Sequence, residues 1–242
     1  MTRKIKILLI VLLSLLTLGI VLFFVLKKGG LKNILSKNQY RGSIKPNEYK
    51  NIPAEGRPFN NDELELINDP KYKRVYDKAL EMGYRFTYEV PNANMEYIDG
   101  KMVTRNTKNA SEKMRNDLEI DTGQEIFIGS GYRSVKRQYN ILKSNLPYPY
   151  TDQDILEYLD GKSYHGTSTH HTGRAIDICV KGDSFSKCLQ PSYWINGNGQ
   201  KSYAWLKDNA KNYGFQLTYP ENAKELNIGA EFEPWHWEYM GN

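Results

Sequence analysis

Histidine is scarce in this chain of 242 residues, with four in all, and no His-Glu-x-x-His pair occurs, which excludes a metal site built on a single helix. Cysteine is scarcer. Cys179 and Cys188 are the two, and no cysteine follows the N-terminal apolar run to accept a lipid. The first forty residues contain no Asp or Glu but seven of the 33 Lys and Arg, and the remainder carries 26 basic against 28 acidic residues, so its formal charge is −2 where the whole chain has +5. The basic excess therefore belongs to the N-terminus, and the rest offers no clustered basic face of the kind nucleic acid requires. Internal repeats and low-complexity tracts are absent as well. About 185 residues beyond the N-terminal region are enough for one domain with a sizeable core.

The long hydrophobic run is Ile7 to Leu26, twenty positions without a charge. At 1.5 Å per residue this spans a bilayer core of about 30 Å. Lys and Arg flank it on both sides, so charge counting does not fix its orientation. No small-x-small cleavage site follows Leu26. The expectation is an uncleaved anchor over residues 1–28, a Lys-, Asn-, Gly- and Pro-rich tether over 29–58, and a catalytic domain over 59–242 on the outer side of a cell membrane. In an exported protein, Cys179 and Cys188 at so short a separation read as a local disulfide.

Chemistry concentrates in two segments. The first runs Ser168-Thr169-His170-His171-Thr172-Gly173-Arg174-Ala175-Ile176-Asp177, and the second Glu233-Pro234-Trp235-His236-Trp237-Glu238. A catalytic zinc site uses three protein ligands from His, Asp, Glu or Cys and keeps a fourth position open. His170, Asp177 and His236 meet that count, and Glu233, three residues before His236, is placed to serve as a general base. Taken by spacing alone, His165, His170 and His171 read equally well as an exposed polar loop. Upstream, Ile126-Phe127-Ile128-Gly129-Ser130-Gly131-Tyr132-Arg133-Ser134 is a β-favouring run ending in a glycine-flanked turn, which would hold Arg133 rigidly at a strand end.

Ser168, His170, Gly173, Ala175 and Asp177 reproduce Ser-x-His-x-x-Gly-x-Ala-x-Asp, and Glu233-x-Trp235-His236 follows. Ser130-Gly131-Tyr132-Arg133-Ser134 with Gln138 completes a Ser-Gly-Tyr-Arg-Ser-x-x-x-Gln segment. This constellation resembles the VanX/VanY-type D-alanyl-D-alanine carboxypeptidases, whose zinc core is shared with lysostaphin-like and hedgehog-like domains. The resemblance runs over roughly residues 60 to 240. It implies one Zn2+ held by His170, Asp177 and His236, Glu233 as base and later acid, Arg133 on the oxyanion, and Tyr132, Gln138, Ser168 and Trp235 in the substrate pocket. His171 would then support the ligands from behind or face solvent, and Glu238 would orient a ligand from behind. Arg174 stands where the family usually has an aliphatic residue, and Tyr164-His165-Gly166-Thr167 where Pro-Gly is frequent. An added charge or ring beside the cleft would favour an acidic or bulkier stem peptide.

The implied activity is removal of terminal D-alanine from peptidoglycan stem peptides by a monomer that binds no nucleic acid. An L,D-carboxypeptidase, an endopeptidase and a non-catalytic wall-binding module remain alternatives. The expected fold is α+β, a small antiparallel sheet with flanking helices around the zinc cleft, preceded by one N-terminal transmembrane helix. Helices are expected between Asn60 and Met82, over Lys108–Leu118, within Tyr139–Leu159 and over Tyr203–Tyr213, and strands over Phe86–Val90, before Arg133, over Arg174–Val180 and over Phe215–Tyr219.

Overall fold

The computed structural model describes residues 56–87, 90–91 and 95–241. The expected anchor at 7–26 and almost all of the tether lie outside them. Among the described residues no helix is long and apolar enough to cross a membrane.

The architecture is α+β, with small antiparallel sheets and flanking helices. Strands β5 (Ile126–Ser130), β6 (Ala175–Val180), β7 (Phe215–Leu217) and β8 (His236–Tyr239) form one sheet in the order β5-β6-β8-β7. Two two-stranded ribbons precede it: β1 (Gly56–Arg57) with β2 (Val90–Pro91), and β3 (Met95–Ile98) with β4 (Lys101–Thr104). The tether's last residues thus already belong to the fold.

The alternation in Arg174–Val180 does form a strand, but every position of Ala175–Val180 is buried. Successive side chains point to opposite faces. Ile176 and Ile178 enter a core with Ile126, Ile128, Trp194 and Trp237, while Asp177, on the other face, lines a cleft instead of meeting bulk water. The expected strand over Phe86–Val90 reduces to pairing from Val90 onward, with residues 88–89 undescribed. Phe86 is turned inward, and its ring lies so near Gly166 that a Cβ there would come within 2.8 Å.

A second core gathers Ile67, Val75, Ala79, Leu142 and Leu159 from the helices Asn61–Ile67, Lys73–Glu81, Val135–Asn145 and Asp152–Gly161, with Tyr84 and Tyr164 from the segments that follow the second and fourth. Asn60 caps the first with Glu63 in a capping box, and Arg57 pairs with the same Glu63 at 2.8 Å. The helix expected at Lys108–Leu118 runs Arg105–Thr122, from a Thr104 N-cap to Gly123 in the left-handed region. Gln200–Asn209 is helical, and a 3-10 turn carries it to Tyr213.

Cys179 and Cys188 form a disulfide at a sequence separation of 9, tying β6 to the short helix Phe185–Cys188. Closing a loop of that size removes roughly 2–3 kcal/mol of unfolded-chain entropy. It also removes both thiolates as candidate metal ligands.

Candidate active site

Sheet register brings the two chemical segments together. Asp177 on β6 and His236 at the start of β8 are direct cross-strand partners, although 59 residues separate them. His170 sits on the 3-10 turn Thr169–Thr172 that feeds β6. That turn ends at Gly173, whose φ of 69° suits glycine and whose missing Cβ leaves room for Pro91 and Met95.

His170 Nε2 lies 3.1 Å from one Asp177 oxygen, and His236 Nδ1 lies 2.8 Å from the other. One donor atom from each of the three residues falls within 4.8 Å of the others, and all three residues are buried. Ligands of a tetrahedral zinc site with bonds of about 2.0–2.1 Å stand roughly 3.3 Å apart. The donor set therefore fits one zinc ion with a position left open for chemistry. Thr169 Oγ1 meets Nε2 of His236 at 2.8 Å, which fixes the ring with Nδ1 turned toward Asp177.

Electrostatics follow from burial. Burial pushes the His170 imidazole down to about 4, so it is neutral at pH 7. For Asp177 burial raises the carboxyl, and the two imidazoles more than reverse this, holding it well below its ordinary range. Burial lowers His236, yet the hydrogen bond and charge of Asp177, with Glu233 and Glu238 behind them, raise it overall. Glu233 is pushed up to about 7, chiefly by burial and further by Asp177, against the pull of His236 and Arg133. His236 is raised and Glu233 lies near 7, so zinc should release protons as it binds, with affinity falling as pH falls. Calorimetry in buffers of different ionisation enthalpy should read net proton release near neutral pH; none would contradict the raised His236 and Glu233.

Glu233 reaches the site through a turn: His236 N–H donates to the Glu233 carbonyl at 3.0 Å, and the carboxylate lies 3.7 Å from His236 Nδ1. Arg133 follows β5, its guanidinium donating to Gln138 Oε1 at 3.0 Å and Ser130 Oγ at 3.4 Å. Arg133, Gln138, Ser168, Trp235 and Glu233 all line the cleft with the three donors. Tyr132 is not among the cleft residues. Its phenol is raised by burial and by the Glu63 charge, with Arg57 opposing. Arg174 and residues 164–167, expected beside the cleft, do not line it either. Glu238 is buried on β8, paired across to Ala175 and Gln216.

His171 carries a role the sequence reading left open. It is fully buried; its Nδ1 donates to the Arg133 carbonyl at 2.5 Å and its Nε2 accepts from the Gly166 N–H at 2.9 Å. Arg133 N–H in turn donates to the His170 carbonyl at 3.1 Å. The His170–His171 turn and the Arg133 turn are thus stitched together. His171→Ala should lower turnover about tenfold or more through displacement of Arg133, with zinc content retained, and His171→Asn, which keeps a donor, should recover part of it. Equal turnover of His171→Ala and the unsubstituted chain would remove this role.

A buried His/Asp/His donor set open to a cleft, with a carboxyl and an arginine beside it, defines a single-zinc hydrolase site. The chain belongs to the VanY family of D-alanyl-D-alanine carboxypeptidases, whose model matches residues 100–242. That match begins downstream of the helices at 61–81. The chain is 30% identical over 146 residues to the putative carboxypeptidase YodJ of Bacillus subtilis, covering 60% of this chain and 49% of that one. It is also 30% identical over 130 residues to a D-alanyl-D-alanine carboxypeptidase of Enterococcus faecalis, covering 48% and 40%. It therefore spans less than half the length of these relatives. Among solved structures it resembles VanYB in complex with D-alanine-D-alanine (TM-score 0.50, 25% identity, 62% of this chain and 78% of that one). The LdcB LD-carboxypeptidase is a second likeness (TM-score 0.52, 25% identity, 62% and 69%).

Proposed function

We propose that this chain is a zinc D,D-carboxypeptidase that removes the terminal D-alanine from peptidoglycan stem peptides, acting outside the cell from an anchor at residues 7–26. The observation that carries the reading is the direct pairing of Asp177 with His236, with His170 and Glu233 gathered on it, in a chain of the VanY family. Outward placement is supported by the apolar run and by the disulfide, a bond that persists in oxidising compartments.

Bound zinc supplies Lewis acidity. Glu233, with a carboxyl near neutrality, takes a proton from the attacking water and returns it to the departing amine. Arg133, with two nitrogens engaged by Gln138 and Ser130, keeps further N–H donors for the oxygen that gains charge. Gln138 in turn donates to the Ser163 carbonyl at 2.6 Å, fixing the wall that holds the arginine.

An L,D-carboxypeptidase is the second reading, favoured by the likeness to LdcB. The test is incubation of the zinc-loaded chain with synthetic pentapeptide and tetrapeptide stems, read by mass spectrometry. Loss of one alanine from the pentapeptide alone supports the first reading, and loss from the tetrapeptide moves the assignment to the second. No metal-dependent cleavage of either would sink both.

A further inference from the structure

The cleft is larger than the reacting groups require. Its volume of about 760 Å³ lies high in the range for whole small-molecule sites, so the bond to be cut and the residues upstream of it both have room. Three cations line it in addition to Arg133: Lys101, Arg137 and Lys162.

Each is placed by the fold. Lys101 opens β4, which lies directly over the turn leading to Arg133. A Cβ on Gly131 would come within 2.5 Å of the Met102 carbonyl and 3.4 Å of Lys101 Cβ. Arg137 precedes Gln138 on the helix Val135–Asn145, and Lys162 precedes Ser163, so the Gln138–Ser163 hydrogen bond holds the two cations on adjoining walls. The Lys162 ammonium stands 5.9 Å from the centre of the Tyr158 ring. None of the three has a carboxylate partner among the described residues. The cleft's other acids are Glu157, Asp160 and Glu231. Lys224 pairs with both Asp160 and Glu231, and Glu157 accepts the Gln153 amide at 2.9 Å. Asp160 and Glu231 thus share a cation, whereas Lys101, Arg137 and Lys162 form no ion pair among the described residues.

We propose that Lys101, Arg137 and Lys162 form an anion subsite that binds a free carboxylate of the stem peptide upstream of the bond cut, so that acidic stems are preferred to amidated ones. The proposal rests on the stem-peptide reading above. Flexible cations on a partly open rim attract a carboxylate without fixing one geometry. The acidic preference that the sequence suggested through Arg174 is carried here by other residues.

Two pairs of pentapeptide stems test it: γ-linked D-glutamate against D-isoglutamine at the second position, and diaminopimelate against lysine at the third. The zinc-loaded full chain should show a KM about fivefold lower for the member with the extra carboxylate in at least one pair, the upper end for an exposed ion pair. The pair that responds identifies which carboxylate is bound. In Lys101→Gln/Arg137→Gln/Lys162→Gln, a triple change at exposed positions, that ratio should fall to near one. Equal KM within both pairs, or a ratio that survives the triple change, overturns the subsite. If no stem is cleaved, the stem-peptide reading fails, and binding of the same peptides to Glu233→Ala protein decides the subsite separately. Tighter binding of the acidic members, lost on adding the triple change, supports it; equal binding overturns it.

Discussion

Glu233→Ala is expected to reduce peptide hydrolysis by about 10²–10⁴-fold, the contribution of a positioned general acid–base, while zinc content stays near one per chain. The carboxylate stands 3.7 Å from His236 Nδ1 but outside the His170/Asp177/His236 donor set, so its removal takes away a proton carrier and no ligand. Glu233→Gln should fall as far, because shape survives and basicity does not. The pH dependence has a defined sign. In the metal-free chain the group is raised from 4.5 to about 7, so it is mainly protonated below that and ionised above. A nearby dication favours the ionised form, so in the loaded enzyme the acid limb of kcat/KM should lie below pH 7. Mass-spectrometric turnover and metal analysis of the same sample provide the check. Activity retained within tenfold would end the assignment of Glu233 as base, and loss of zinc from the variant would make it a ligand instead.

The site was legible because its chemistry lies in three short contiguous runs, and because side chains that do metal chemistry are few: four histidines supply two of the proposed ligands. What sequence did not reveal is how those runs are braced. The β3–β4 hairpin was missed, although Asp99-Gly100 is a strong turn signal and both residues adopt positive φ, 49° and 74°. Its strands are only four residues long and carry mixed charge, too little for an alternation to stand out. Yet Met102 O accepts from Tyr132 N–H at 2.7 Å, and Thr104 N–H donates to Gly173 O at 2.9 Å, so this hairpin buttresses both the Arg133 turn and the His170 turn. Tyr132 shows the opposite case. A motif position gave it a pocket role, but it is not among the cleft-lining residues, and the charges that act on its phenol come from Arg57 and Glu63, upstream of the family match. The helices Phe185–Cys188, Pro191–Ile195 and Ala223–Leu226 are too short to show a period of 3.6 at all.

Those braces govern the second large effect, at Arg133. Its backbone is held at both ends, N–H on the His170 carbonyl at 3.1 Å and carbonyl on His171 Nδ1 at 2.5 Å, and its guanidinium is held by Gln138 and Ser130. A donor fixed in advance on four sides loses little freedom when charge develops on a substrate oxygen, which is the condition for a large electrostatic contribution. Arg133→Ala should lower kcat by about 10²–10³, as removal of a single oxyanion donor does, with a smaller change in KM. Arg133→Lys should restore little, because one ammonium cannot keep both side-chain bonds and still reach the oxyanion. Steady-state kinetics on the pentapeptide stem, with zinc content measured alongside, separate this from damage to the metal site. A kcat within threefold of the unsubstituted chain in Arg133→Ala would leave the arginine a wall residue. His171→Ala would then be expected to cost stability alone, since the buried Gly166 N–H would still lose its acceptor.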